Sequence, residues 1–191
     1  MTDQTIASSR TLYVAALPAE IAHIEVPVLL TGIGLVRAGI AVMEAVLSLP
    51  AESRPTRIVN IGTAGALSEN MSGVYEITHV SQHDFFGEGF APEHFVSYDL
   101  PATGVFPTAR LASGSSFVSS TADRERISQT AELVDMEGFA IAAAGAKLGI
   151  PVTMLKWVSD SADENALESW DDAVDRGSRE LNEAIGHLQF S

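Results

Sequence analysis

Three carboxylates stand out because each follows a short apolar run: Glu20 after Thr11–Ala16, Glu137 after Leu133–Met136 and Asp160 after Val152–Ser159. Such runs read as strands whose ends are partly desolvated. Desolvation raises a carboxyl pKa and suits one of the three to act as a general acid. Taken singly, Glu137 and Asp160 are equally well explained as acidic residues at helix N-termini, where the macrodipole favours negative charge. For all three together that explanation weakens. Other strand ends carry Gly32-Ile33-Gly34, Gly62-Thr63-Ala64-Gly65 and Ser113-Gly114-Ser115-Ser116-Phe117. In open α/β sheets ligands bind beyond the carboxyl ends of the strands, so these residues converge on one candidate site.

Other chemistries are weighed on the same residues. Gly32-x-Gly34 is half a dinucleotide fingerprint, but Arg37 stands at the third glycine position and a tight strand-to-helix turn is the commoner explanation. His79, His83, Asp84, Glu88 and His94 form a candidate ligand cluster for zinc or another divalent ion, against which solvated loop histidines on an acidic protein are favoured. Ser113-Gly114-Ser115 is not a nucleophile elbow. Cysteine is absent, which excludes disulfides, thiolate metal sites and cysteine nucleophiles.

The elements that must position these groups follow from patterning. The chain has 191 residues, 46% of them hydrophobic, and a formal net charge of −14. That length and apolarity can bury a core, and the acidic balance argues against nucleic-acid or anionic-membrane partners. Residues 1–10 read as a polar lead-in without a signal-peptide core, and no run approaches a membrane span, so the cytoplasm is the expected compartment. Strands are expected at Thr11–Ala16, Val26–Thr31, Arg57–Ile61, Tyr75–Gln82, Leu133–Met136 and Val152–Ser159, with a further short strand before Ser113. Pro18 can open a helical turn after the first strand. Helices are expected from about Leu35 to Leu49, from Glu137 to Leu148 and from a capping box at Ser169-Trp170-Asp171-Asp172 onward. Residues 83–106 read as a long aromatic loop holding five of the eight phenylalanines. Apolar strands alternating with helices give a single α/β domain over residues 11–191, with a mostly parallel mixed sheet covered on both faces.

At this point the residues carry a resemblance. Ile58-Val-Asn-Ile-Gly-Thr-Ala-Gly-Ala-Leu67, Ser113-Gly-Ser-Ser-Phe-Val118, Val134-Asp-Met-Glu-Gly-Phe-Ala140 and Val158-Ser-Asp-Ser-Ala-Asp163 occur in this order. The set resembles the nucleoside phosphorylase superfamily, and within it the 5′-methylthioadenosine/S-adenosylhomocysteine nucleosidases, over most of the chain. The resemblance implies a three-layer fold and a purine nucleoside as substrate, with no cofactor and no metal. It implies that Glu20 positions water and that Asp160 protonates purine N7. Met136 and Glu137 match the ribose-binding pair, Phe117 the ring stacked on the base, and the Val118 backbone the base-edge contact. Thr63, in the same motif as Gly65, matches a hydroxyl facing the nucleophile. Trp170 falls where the family has a phenylalanine near the 5′-substituent. It further implies a homodimer or larger homo-oligomer whose neighbouring aromatic residues cap the site.

The chemistry is coherent. Breaking an N-ribosidic bond builds positive charge on the sugar and negative charge on the leaving purine, so an acid at N7 and an ionised Glu137 near the ribose both help. Phosphorylases of the superfamily hold phosphate with arginines, whereas this chain has Asn60 before Gly62-Thr63 and none in Leu17-Pro18-Ala19-Glu20. Hydrolysis is therefore expected over phosphorolysis. Purine phosphorolysis, a non-catalytic nucleoside-binding protein and a nucleotide-dependent oxidoreductase are the alternatives. The stretch from Glu20 to Thr31 lacks the family's edge hairpin, Ser115-Ser116 stand where an acidic residue is frequent, and Asp135 replaces a usual glutamate.

Overall fold

The computed structural model describes residues 10–85, 95–164 and 166–188. Strands form at β1 (Thr11–Ala15), β2 (Val28–Leu30), β3 (Arg57–Ala66), β4 (Val74–Gln82), β5 (Ser97–Asp99), β6 (Thr108–Ser113), β7 (Leu133–Asp135) and β8 (Val152–Asp160). Helices form at α1 (Leu35–Leu47), α2 (Thr121–Ile127), α3 (Gly138–Leu148) and α4 (Ala166–His187). The sheet order is β2-β1-β3-β7-β6-β4-β5, and β8 pairs with both β3 and β4. Among the described residues parallel pairing dominates, with antiparallel pairs at β3–β7, β4–β5 and β4–β8. Because β3 and β4 each meet β8 at one end and the β7–β6 pair at the other, the strands β3-β7-β6-β4-β8 close into a ring.

Side-chain alternation on the strands builds the layers. Ile58 of β3 and Met154 of β8 pack with Ala38 and Val42 of α1 and Ile141 and Ala144 of α3 on one face. Val59 and Ile61, with Leu155 and Trp157, pack under Leu181 and Ala184 of α4 on the other. Helix α4 buries Val174, Leu181 and Ala184. A third cluster gathers Val118, Ile127, Ala131 and Ala162 beside α2.

Several expectations are corrected. β3 does not stop at Ile61 but runs on through Gly62-Thr63-Ala64-Gly65, because these residues keep pairing with β8. α4 begins at Ala166, whose N–H bonds to Asp163 O at 3.0 Å, so Trp170 lies inside the helix and not at its cap. The 83–106 stretch contains β5, which pairs antiparallel with β4; Phe86, Glu88, Phe90 and His94 lie outside the described residues. The sequence reading missed α2, although Ser120 caps it by accepting the Asp123 N–H at 3.2 Å. The connection from Ile21 to β2 holds no hairpin, as the sequence indicated.

Candidate functional site

The carboxyl ends of β1, β3, β7 and β8 meet at a cavity of about 190 Å³. Glu20, Thr63, Gly65, Phe117, Val118, Met136, Glu137, Asp160 and Trp170 all line it. No lysine or arginine of the described residues does.

Glu20 sits on a 3-10 turn, Pro18–Ile21, directly after β1. Its Oε2 accepts the N–H groups of Ala16 at 3.1 Å and Leu17 at 3.0 Å. Its Oε1 accepts the Thr63 N–H at 2.8 Å and the Thr63 hydroxyl at 2.9 Å. The approach requires glycine on β3: a Cβ at Gly62 would lie 2.9 Å from Glu20 Oε1. Thr63 Oγ1 in turn accepts the Trp170 indole N–H at 2.8 Å.

Asp160 is placed by a bulge. The β3–β8 register pairs Ala64 with Val158 and then Gly65 with Asp160, so β8 carries one extra residue, Ser159, at this point. Bulges of this kind re-aim a side chain at the end of a strand. A Cβ at Gly65 would lie 2.8 Å from Asp160 Oδ1, so the second glycine of the motif makes room for the second carboxylate. Asp160 Oδ2 accepts the Ser159 hydroxyl at 2.6 Å and Oδ1 the Ala162 N–H at 2.8 Å. Burial nevertheless raises its pKa above the ordinary aspartate value, because desolvation outweighs these two donors.

Glu137 precedes α3, and its Oε1 accepts the Gly34 N–H at 2.7 Å from the start of α1. The Gly32-Ile33-Gly34 turn thus delivers a backbone donor to a carboxylate. Burial, and next the charge of Asp135, push the Glu137 pKa to about 7.

Beneath it lies an ion pair that sequence reasoning did not assign. Lys156 Nζ is 2.8 Å from Asp135 Oδ2, with both side chains 2% exposed. Asp135 also accepts the Ser113 hydroxyl at 2.6 Å and the Gly138 N–H at 3.0 Å. Burial works against the charged lysine, but the Asp135 charge and hydrogen bond, with Glu137 and Glu20 nearby, hold the Lys156 pKa above its ordinary value. The signal was present: one of only two lysines stands in the middle of the apolar run Val152–Ser159.

Two other sets do not join the site. Asn60 donates to Val14 O at 3.1 Å inside the sheet, and Arg37 lies against Gly32 outside the cavity lining. Of the histidine cluster, His79 pairs with Asp99 at 2.8 Å, Asp84 accepts from Gln82 and Ser115, and His83 packs against Gly114 with desolvation lowering its pKa. Among the described residues no group of three or more His, Asp or Glu side chains is placed to hold a metal ion; Glu88 and His94 fall outside them.

Comparison with known proteins agrees with this architecture. Residues 105–188 match the model of the Phosphorylase superfamily. The 5′-methylthioadenosine/S-adenosylhomocysteine nucleosidase of Staphylococcus epidermidis is 28% identical over 190 residues, covering 87% of this chain and 82% of the relative. A Helicobacter pylori MTAN mutant crystallised with 5′-methylthioadenosine in its active site superposes with a TM-score of 0.80 at 20% identity, covering 94% of this chain and 99% of the other. A futalosine hydrolase mutant of the same organism gives a TM-score of 0.80 at 20% identity, over 94% and 100% of the two chains. Over residues 105–188 the chain is thus similar to the Phosphorylase superfamily, and over most of its length to nucleosidases.

Proposed function

We propose that this chain is a purine nucleosidase that hydrolyses the N-ribosidic bond, with a 5′-thio-substituted adenosine as substrate. The observation that carries this reading is the meeting of Glu20, Glu137 and Asp160 on one small cavity that no described cation lines. Asp160, its pKa raised by burial, gives its proton to purine N7 as the bond to the sugar breaks. Glu137 accepts the ribose hydroxyls and, ionised, offsets the positive charge that develops on the sugar. Met136 packs against the ribose. Phe117, 44% exposed at the rim, stacks on the base, and the Val118 backbone meets its edge. Glu20 and Thr63 hold the water that attacks the anomeric carbon. A phosphate brought beside two carboxylates without an arginine would be repelled, whereas water carries no such penalty.

The test is incubation with a panel of nucleosides, with and without phosphate, and identification of the released base and sugar. Free base plus free sugar at a phosphate-independent rate is expected. A strict phosphate requirement with a sugar 1-phosphate product assigns phosphorolysis, and tight binding without turnover assigns a nucleoside-binding protein.

A homodimer is part of the proposal. Helix α1 buries Ala38, Val42 and Val46 but leaves Val36 74% and Ile40 61% exposed, and Ile33, 45% exposed, joins this apolar strip to the cavity. A second copy is the occupant that would cover the strip and close the site at once. A monomer by light scattering at working concentration rejects it.

A further inference from the structure

The cavity is crowded with like charge. Asp135 and Glu137 stand two residues apart at the end of β7, and Glu20 lines the same cavity. Neighbouring buried carboxylates push one another toward the protonated form, and a protonated Glu137 cannot offset the charge of a cationic sugar. One ammonium answers them. Lys156 of β8 pairs with Gly62 of β3 and Tyr75 of β4, its side chain 2% exposed and outside the cavity lining. Its Nζ lies 2.8 Å from Asp135 Oδ2, and Asp135 Oδ1 accepts the Glu137 N–H at 3.4 Å. The ammonium is thus linked to Glu137 both by charge and through one intervening carboxylate. The charged groups that act on Glu137 are Asp135 on β7, Lys156 on β8 and Glu20 beyond β1, and α1 adds the Gly34 N–H. Burial first, then Asp135 and last Glu20 favour its neutral form, whereas Lys156 and the Gly34 N–H favour the carboxylate.

We propose that Lys156 is a positioning residue for the ribose end of the reaction: anchored by Asp135 outside the cavity, its ammonium keeps Glu137 available as a carboxylate for the developing sugar cation. Lys156 acts through Glu137 and does not line the cavity itself. Asp135 acts on Glu137 in the opposite sense, so the two members of the pair are separable. Removing the Asp135 charge takes a like charge away from Glu137 and leaves the ammonium to Glu137 and Glu20. A lysine that served only to neutralise Asp135 would have no such reach. The inference rests on the nucleosidase reading.

The first experiment follows kcat/KM for base release from about pH 5 to about pH 9 in wild type, Asp135→Asn and the double variant Asp135→Asn/Lys156→Met. Base release by wild type must be seen first. Its absence defeats the nucleosidase reading, and the second experiment, which needs no turnover, still judges the coupling of Lys156 to Glu137. The limb that rises with pH should sit about one unit or more lower in Asp135→Asn, where Lys156 no longer answers Asp135. It should return close to the wild-type position in the double variant, where both charges are gone. A limb at the same pH in Asp135→Asn and the double variant overturns the proposal, as does one that Asp135→Asn moves upward. The second experiment also covers a failure of Asp135→Asn to fold. The chain has only two lysines, and Lys147 is exposed on α3, so protein labelled at lysine Nζ with an NMR-active nitrogen isotope gives two signals, one of them a built-in reference. In wild type the Lys156 signal should step through the pH at which Glu137 ionises, and Glu137→Gln should abolish the step. A Lys156 signal that stays flat, or a step that survives Glu137→Gln, overturns the proposal.

Discussion

The two ends of the cavity use the same device to opposite effect. At one end Gly62 of β3 lets Glu20 approach, and four donors meet the carboxylate. At the other end Gly65, three residues along the same strand, lets Asp160 approach, but only two donors meet it and burial prevails. A carboxylate surrounded by N–H and O–H groups is fixed as an acceptor; one that is desolvated with fewer donors is fit to carry a proton. The chemistry of each end is set by how many donors the neighbouring backbone aims at it, not by the residue type.

The largest expected break in this contrast is Asp160→Asn. An amide keeps the shape but has no proton to give N7, so turnover should fall by about 10²–10⁴-fold while substrate still binds. Wild-type rates in this variant would mean the acid lies elsewhere. Next comes the ion pair behind both ends. Lys156→Met leaves Asp135 buried and unpaired, and chemical denaturation should show a loss of about 3–5 kcal/mol. An unchanged midpoint would show that Asp135 takes its proton without cost.

Gly65→Ala sharpens the comparison by touching only the proton-carrying end. Its new Cβ must displace the Asp160 carboxyl it would meet at 2.8 Å, so kcat should drop on the order of 10-fold or more, the effect of misplacing a catalytic group by a fraction of an ångström. Near-normal kcat would show that β3 can give way there.

The smallest effect is also the most diagnostic, because its sign depends on pH. Glu137 has a pKa of about 7 in the folded chain, above the ordinary glutamate value. Between the two values the native state holds a proton that the unfolded chain has lost, so the Glu137 contribution to stability falls as pH rises through that window. Glu137→Gln should therefore leave thermal stability nearly unchanged near pH 5 and raise it at pH 8 by about 2 kcal/mol, below the ~3 kcal/mol that the full shift corresponds to. In wild type kcat/KM should rise with pH through about 7 as Glu137 ionises, and this limb should vanish in the variant. A limb that survives the substitution belongs to another group.

The carboxylates Glu20, Glu137 and Asp160 were legible in the sequence because each follows an apolar run, and residues at strand ends in such folds face the ligand crevice. Phe117, Met136 and Trp170 were placed by resemblance alone, and the cavity gathers them with the rest. What stayed hidden depends on partners far along the chain. Gly62-Thr63-Ala64-Gly65 read as a turn because glycine weakens a strand, yet β8, nearly a hundred residues later, holds it in the sheet. Lys156 read as one lysine among apolar neighbours until Asp135 was brought to it. The Ser169–Asp172 pattern matched a capping box but lies inside α4, where tertiary packing overrides a local signal.

The closed ring of strands has a temporal consequence. β8 emerges late from the ribosome, and until it inserts between β3 and β4 the ring is open and β3 has unpaired backbone along most of its length. Long-range pairing of this kind is slow to nucleate and exposes strand edges meanwhile. The strand that closes the ring is also the one whose bulged end bears Asp160. Placement of the Asp160 carboxylate and completion of the fold are therefore one event, and a nascent chain cannot assemble the cavity before it has sealed its own sheet.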